Sequence, residues 1–240
     1  MMSPTREATL VTISMNGSSL IREVAAVVSD LDGVLTDTET YFFRAVNALL
    51  TEEDISILSD HETIGLVGLD NESLWDRLRA VRPLGLGLAE YTSRVDTIAQ
   101  AIYAREMKPA EGAIDLLESV RAEGVPLGLA TSGEMAWVAN RLNILGISEA
   151  FDTVVTGDRT FNPKPDPEVY QTAARELNVS PEDVLALEDS PIGIRAARSA
   201  GMFTVAVRTD WTQKLDISEA DAVVNSLRDV TFGQPAVRSI

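Results

Sequence analysis

The chain contains no cysteine, so it has no disulfide, no thiolate zinc site and no cysteine nucleophile. It has one histidine, His61, which sits between Asp60 and Glu62 and reads as an exposed loop residue. Basic residues are scarce: 20 Lys and Arg against 37 Asp and Glu leave a net charge of −17, so duplex DNA, RNA and anionic membranes are poor partners by bulk electrostatics. No apolar run approaches the ~18 residues of a membrane span. The first twenty residues mix Arg6, Glu7, Asn16 and Gly17 with short apolar pieces, unlike a signal-peptide core or an Arg-rich transit peptide. Internal repeats and low-complexity tracts are lacking too. What is there is ordinary for a globular protein: 240 residues, 45% hydrophobic and 24% charged, enough for one or two domains at ~150 residues each. The expectation is an acidic, cytoplasmic protein, monomeric by default.

Short uncharged runs rich in β-branched residues recur at 24–28, 125–130, 154–156, 184–187, 204–207 and 222–224. Runs of this kind read as fully buried parallel strands. Amphipathic segments lie between them. One has the stripe Ala113, Ile114, Leu117 and Val120, closed by Gly124; another has Val169, Tyr170, Ala173, Ala174 and Leu177. The alternation predicts an α/β fold, a Rossmann-like doubly wound parallel sheet. From about residue 38 to residue 106 the rhythm breaks into helical stripes: Phe42, Val46 and Leu49; Leu74, Trp75, Leu78 and Val81; and Leu88, Tyr91, Val95, Ile98 and Ile102. Gly85 and Gly87 read as a helix–helix connection. The expected organisation is a core of residues 1–36 and 107–240 with an inserted all-helical domain at 37–106. Before residue 24 the chain reads either as an edge strand or hairpin about Asn16 and Gly17, or as a loose tail.

Ligands of an open parallel sheet sit at the carboxyl ends of its strands. Asp30 and Asp32 follow the first buried run and, by strand alternation, should project together, with Gly33 allowing a sharp exit. Thr131, Ser132 and Gly133 follow the second run, Glu188 and Asp189 the fourth, and Lys164 stands in a proline-braced turn between them. Four clustered carboxylates offset by one lysine would raise their own pKa values unless a cation sat among them. Hard oxygen ligands suit Mg²⁺ better than zinc or copper. Thr131, Ser132 and the amides of a helix N-terminus could hold an anion. Carboxylates, Mg²⁺ and an anion cradle make a phosphoryl-transfer site, with one Asp as nucleophile and a second moving protons.

In order along the chain, Asp30-Leu31-Asp32-Gly33-Val34-Leu35-Thr36-Asp37, Thr131-Ser132-Gly133, Lys164-Pro165-Asp166-Pro167 and Glu188-Asp189-Ser190-Pro191 resemble the four motifs of the haloacid dehalogenase superfamily. The branch is the one that resembles β-phosphoglucomutase and phosphoglycolate-type phosphatases, and its helical insertion is a cap domain. The resemblance implies that Asp30 attacks phosphorus, while Asp32 protonates the leaving oxygen and then activates water. It also implies that Thr131 and Lys164 contact the phosphoryl group. Mg²⁺ would be held by Asp30, Asp32 through its backbone carbonyl, and Asp189, with Glu188 as a further or neighbouring carboxylate. Thr38, Arg44, Ser132 and Gly133 are the expected substrate contacts, the substrate being a small phosphorylated metabolite. Members that cleave carbon–halogen bonds lack an acid at the place of Asp32, which argues against dehalogenation.

Residues 37–44 resemble the mutase pattern closely, but Phe42 stands where its histidine is expected. The three lysines, Lys108, Lys164 and Lys214, all lie outside the insertion as drawn. Both absences favour a phosphatase over a sugar phosphomutase. A non-enzymatic phospho-accepting receiver module shares the acidic pair, the Thr or Ser and the later lysine, but is about half as long and lacks the insertion. Taken singly, each motif has a plain structural explanation: Thr131 and Ser132 as helix caps, Lys164 as a solvated lysine, Glu188 and Asp189 as first-turn acids. Their concurrence is what points to a site.

Overall fold

The computed structural model describes residues 9–15, 18–66, 69, 71–213 and 215–233. In chain order its elements are β1 (Thr9–Met15), β2 (Ser18–Val24), β3 (Ala26–Ser29), α1 (Thr38–Glu52), α2 (Asp60–Ile64), α3 (Asn71–Val81), α4 (Leu88–Glu106) and α5 (Ala113–Ala122). Then come β4 (Leu127–Ala130), α6 (Met135–Leu145), β5 (Thr153–Val155), α7 (Glu168–Leu177), β6 (Val184–Glu188), α8 (Pro191–Ser199), β7 (Phe203–Val207), β8 (Ala222–Val224) and β9 (Val230–Phe232). The chain divides into two compact units, one of residues 1–36 and 109–240 and the other of residues 37–108.

The first unit is built on a six-stranded sheet in the order β5-β4-β3-β6-β7-β8, parallel throughout. Val27 of β3 faces Leu127 of β4 on one side and Leu185 of β6 on the other. Every residue of β3, β4 and β6 is buried, which is why these strands read as unbroken apolar runs instead of alternating ones. From β3 the chain proceeds outward through β4 and β5, then returns to β6 and proceeds the other way. Strand order therefore reverses at β3, and a crevice opens outside the carboxyl ends there. Helix α7 buries Val169, Tyr170, Ala173, Ala174 and Leu177, the full expected stripe, in a cluster with Ala26, Val28 and Ala130 of the central strands. In α5 the buried residues are Ala113, Leu116, Leu117 and Val120, while Ile114 is largely outside. That set is the complete i, i+3, i+4, i+7 stripe, and Ile114 lies one residue out of its phase.

Strand starts shift by up to two residues from the sequence reading. Val24 belongs to β2, and the amide of Ala25 donates to the carbonyl of Asp183 at 2.8 Å before β3 begins. A second sheet, in the order β2-β1-β9, is antiparallel, with Met15 opposite Ser18 and with Val11 and Ile13 fully buried. The hairpin alternative for the early chain is thus the one adopted; Asn16 and Gly17, the expected turn, lie outside the described residues, as do residues 1–8. The third strand, β9, was not expected.

The second unit, residues 37–108, is helical wherever it has regular structure among the described residues. Asp37 caps α1, its carboxylate accepting from the Thr40 amide at 3.1 Å and the Thr40 hydroxyl at 2.6 Å. Tyr41, Phe43, Ala45, Val46, Leu49 and Leu50 of α1 are buried; Phe42, expected in the stripe, is half-buried and packs edge-on to Phe43. The seam of α4 runs along Tyr91, Val95, Ala99 and Tyr103, with Leu88, Ile98 and Ile102 flanking it half-buried. In α3, Leu74 and Leu78 are buried but Val81, at the helix end, is 71% exposed. Trp75 is half-buried and its indole N–H donates to the carbonyl of Leu86 at 3.0 Å, which ties α3 to the glycine-bearing connection. His61 is exposed, but on the short helix α2 and not in a loop. No helix among the described residues is long and apolar enough to cross a membrane.

Candidate active site

Asp30 comes directly after β3, Thr131 directly after β4, Glu188 is the last residue of β6, and Asp189 follows it. Because these strands are parallel neighbours, their carboxyl ends share one edge, and the four residues converge there. Lys164 enters from the segment between β5 and α7. Its ammonium lies 2.8 Å from Oδ1 of Asp30 and 2.7 Å from Oε1 of Glu188, and it also donates to the carbonyl of Ala130 at 3.1 Å. Its side chain is 4% exposed, so the solvated-lysine reading does not apply. Glu188 is wholly buried at the end of its strand, not in a helix turn. Its Oε2 accepts from the amides of Asp189 and Ser190 and from the Ser190 hydroxyl, at 2.9, 3.1 and 3.0 Å.

Tyr170, expected only as core, contributes more. Its hydroxyl donates to Oε1 of Glu188 at 2.9 Å, and its ring lies under the Lys164 ammonium at 4.9 Å. Periodicity marks Tyr170 as an inward residue and says nothing about where its phenol oxygen ends. Arg141 of α6 was missed altogether. Its Nη1 lies 2.8 Å from both carboxylate oxygens of Asp32. Asp30, Glu188 and Asp189 offer oxygens that all lie within 4.8 Å of one another, and the Asp32 carboxylate is not in that group. Asp32 pairs with Arg141 and still lies near enough to Asp30 to raise its carboxyl.

Burial dominates the ionisation of Asp30 and pushes its carboxyl up to about 7, opposed by Lys164 and reinforced by Glu188 and Asp32. For Glu188 burial acts in the same sense, but Lys164 and the surrounding donors outweigh it and hold its carboxyl below the ordinary value. Burial alone would depress the Lys164 ammonium; the two carboxylates reverse that and hold it well above the lysine value. Burial, with Glu188 beside it, lifts the Tyr170 phenol as well. Of the pair sharing Lys164, Asp30 is the one left short of compensating charge.

Four carboxylates, at 30, 32, 188 and 189, now stand against two cations, Lys164 and Arg141, an excess of two negative charges. A divalent cation with a preference for hard oxygen ligands fits the buried donor set of Asp30, Glu188 and Asp189. Two glycines allow the close packing. Gly33 has φ +84°, its amide donates to the carbonyl of Thr36 at 2.8 Å, and a Cβ there would overlap the Asp189 carboxylate. A Cβ on Gly193 would overlap the carboxylate of Glu188.

Thr131 is buried, and its Oγ1 accepts from the Gly133 amide at 3.2 Å; the N-cap of α6 is Glu134, so Thr131 and Ser132 are not caps. With Ser132, Gly157, Asp158, Thr160 and Lys164, Thr131 lines a cavity of about 240 Å³. Ser132 is exposed and Gly133 half-buried. Not every amide at the start of α6 faces that cavity unengaged, since that of Met135 donates to Asp158 at 3.1 Å. Thr38 and Arg44 belong to the helical unit. Thr38 is buried in the first turn of α1, and Arg44 is ion-paired with Glu106 at 2.8 Å.

The sequence pattern of the haloacid dehalogenase-like hydrolases matches residues 27–207. A phosphorylated carbohydrates phosphatase of Thermotoga maritima is 34% identical over 178 residues, 74% of this chain and 82% of the relative. A β-phosphoglucomutase of Bacillus subtilis is 32% identical over 219 residues, 86% of this chain and 92% of the relative. The crystal structure of CbbY from Rhodobacter sphaeroides in complex with phosphate superposes with a TM-score of 0.73 at 27% identity, covering 85% of this chain and 95% of that one. With the core motifs assembled at the reversal point of a parallel sheet, the chain belongs to the haloacid dehalogenase-like hydrolase family, as a phosphatase-type enzyme.

Proposed function

We propose that this enzyme hydrolyses a small phosphate monoester, a sugar phosphate or similar, in a Mg²⁺-dependent reaction through an aspartyl-phosphate on Asp30. The observation that carries the reading is the buried Asp30 carboxylate, held by Lys164 at 2.8 Å and standing within 4.8 Å of Glu188 and Asp189. In the first half-reaction an oxygen of Asp30 bonds to phosphorus and the ester P–O bond breaks. The electron pair leaves with the ester oxygen, which takes a proton from Asp32. In the second half-reaction water bonds to phosphorus, the Asp30–phosphorus bond breaks, and the proton of the water passes to Asp32. Lys164 and Thr131 hold the phosphoryl oxygens in place throughout. Asp30, Asp189 and the backbone carbonyl of Asp32 would hold the divalent cation, with Glu188 as a further or neighbouring carboxylate; when bound it supplies positive charge beside the phosphoryl oxygens.

A sugar phosphate is favoured by the relative whose name specifies phosphorylated carbohydrates. One observation favours a second reading, sugar phosphate isomerisation: the relative named a β-phosphoglucomutase spans 86% of the chain. Against it stands Phe42 at the place of the mutase-pattern histidine; Lys108, outside the insertion as read from the sequence, falls inside the helical unit of residues 37–108, so the lysine count no longer separates the two readings. The test is a panel of sugar phosphates, phosphoglycolate and nucleotides, assayed with Mg²⁺ and with excess chelator. Steady release of inorganic phosphate that stops on chelation and returns with Mg²⁺ is the expected outcome. Isomerised product without free phosphate would establish the mutase instead, and full turnover in chelator would remove the metal.

A further inference from the structure

We propose that Arg141 is the positioning residue for Asp32, fixing the carboxylate that moves protons in the reaction; this rests on the phosphatase reading above. Asp30 and Glu188 share Lys164, so Asp32 has to find its counter-charge elsewhere. It finds it 109 residues away in sequence, on α6, where one guanidinium nitrogen reaches both of its oxygens at 2.8 Å. The pair is sheltered, with side chains 16% and 33% exposed, and so is less screened than a surface ion pair. Its two ends are held differently. Asp32 stands on a turn pinned by the Gly33 amide on Thr36 and the Leu35 amide on Leu31. Arg141 rides on a helix whose neighbouring residues Val138 and Leu142 are buried, so the guanidinium is aimed from a rigid base.

The chemistry that needs this fixing is the second half-reaction. There the Asp32 carboxylate must accept a proton from the water that attacks phosphorus, and a misplacement of about 1 Å costs up to about 10²-fold. A side chain on a turn, one-third exposed and beside an acidic nest, would otherwise swing outward away from like charge. Arg141 touches neither phosphorus nor the attacking water; it acts through Asp32. Because it lies outside all four motifs and arrives on a helix, no sequence pattern announces it.

A double-mutant cycle with steady-state kinetics on the best phosphate ester tests this. Arg141→Gln should lower kcat by about 10-fold to 100-fold with KM changed less than about threefold. In the Asp32→Asn background the same substitution should cost no more than about twofold, since its target is already disabled. Arg141→Ala should regain activity on addition of guanidinium ion, and this arm together with Arg141→Lys serves if Arg141→Gln folds poorly. Equal losses in both backgrounds, a loss confined to KM, or no loss at all would overturn the inference while leaving the phosphatase standing. A wild-type enzyme that releases phosphate from no ester would bring down both.

Discussion

At the scale of single residues, the strand-end position of each side chain determines what it can do. Asp30→Asn should abolish phosphate release, because an amide oxygen neither attacks phosphorus nor carries the charge that Lys164 compensates at 2.8 Å. Asp32→Asn should retain binding but lose the ~10²–10⁴-fold of acid–base catalysis, read as kcat in steady state. Wild-type turnover in either variant would remove that residue's role. Gly193→Ala should be unusually harmful for so small a change, since its methyl would occupy the space of the fully buried Glu188 carboxylate. Overpacking of this kind costs about 1–3 kcal/mol, and displacing Glu188 should also weaken Mg²⁺ binding by titration calorimetry. An unchanged melting temperature and metal affinity would contradict the packing argument. The motif acids were legible in the sequence because buried strands announce where they end, and Lys164 because prolines brace the turn that presents it. Arg141 and Tyr170 were not, because a helix position fixes a face but not the atom at the tip of a long side chain.

At the scale of elements, periodicity located helices well but often misjudged which residues they bury. The stripe on α7 was recoverable because its apolar residues recur at i, i+1, i+4, i+5 and i+8 with polar residues between them. On α4 the stripe reading holds Tyr91 and Val95 but then follows Ile98 and Ile102, whereas the seam continues through Ala99 and Tyr103, residues with a weaker apolar signature. The short helix α2 went unseen since five residues give no periodicity, although Ser59 and Glu62 close a capping box around its start. That box yields a prediction. The backbone and side chain of Ser59, then Arg82, lower the Glu62 carboxyl to about 2. A carboxyl depressed on folding stabilises above its unfolded value and loses that contribution as pH falls toward the folded one. The melting temperature of the wild type relative to Glu62→Gln should therefore be constant above about pH 5 and shrink toward pH 2. A difference independent of pH in that window would show that the box carries no charge-dependent stability.

At the scale of the whole molecule, the α/β class and the helical insertion were readable from the alternation and its interruption. The second sheet was not, because a three-residue strand near residue 230 pairs with β1 more than 200 residues away, and nothing local marks so distant a partner. Because the folded chain gathers Asp30, Glu188 and Asp189 and the unfolded chain does not, metal binding there is a stabilising event for the unit that contains them. At 100-fold excess over its dissociation constant, Mg²⁺ should add about 2.7 kcal/mol, a rise in melting temperature of roughly 5–10 °C for a chain of this size. Scanning fluorimetry with and without Mg²⁺ reads this directly, and Asp189→Asn should abolish the shift. An equal shift in that variant would place the ion elsewhere.

The 134 residues between Asp30 and Lys164 also bear on how the protein is made. A ribosome adding about 5–20 residues per second exposes β3 and its acid on the order of ten seconds before the compensating ammonium emerges. Glu188, which shares that ammonium, arrives 24 residues later still. Until then, burying β3 would strand a carboxylate in apolar surroundings at a cost of several kcal/mol. The settling of β3 is thus tied to synthesis of the segment that carries Lys164 and Glu188, so the nascent sheet should close around Asp30 only once residue 188 has left the tunnel.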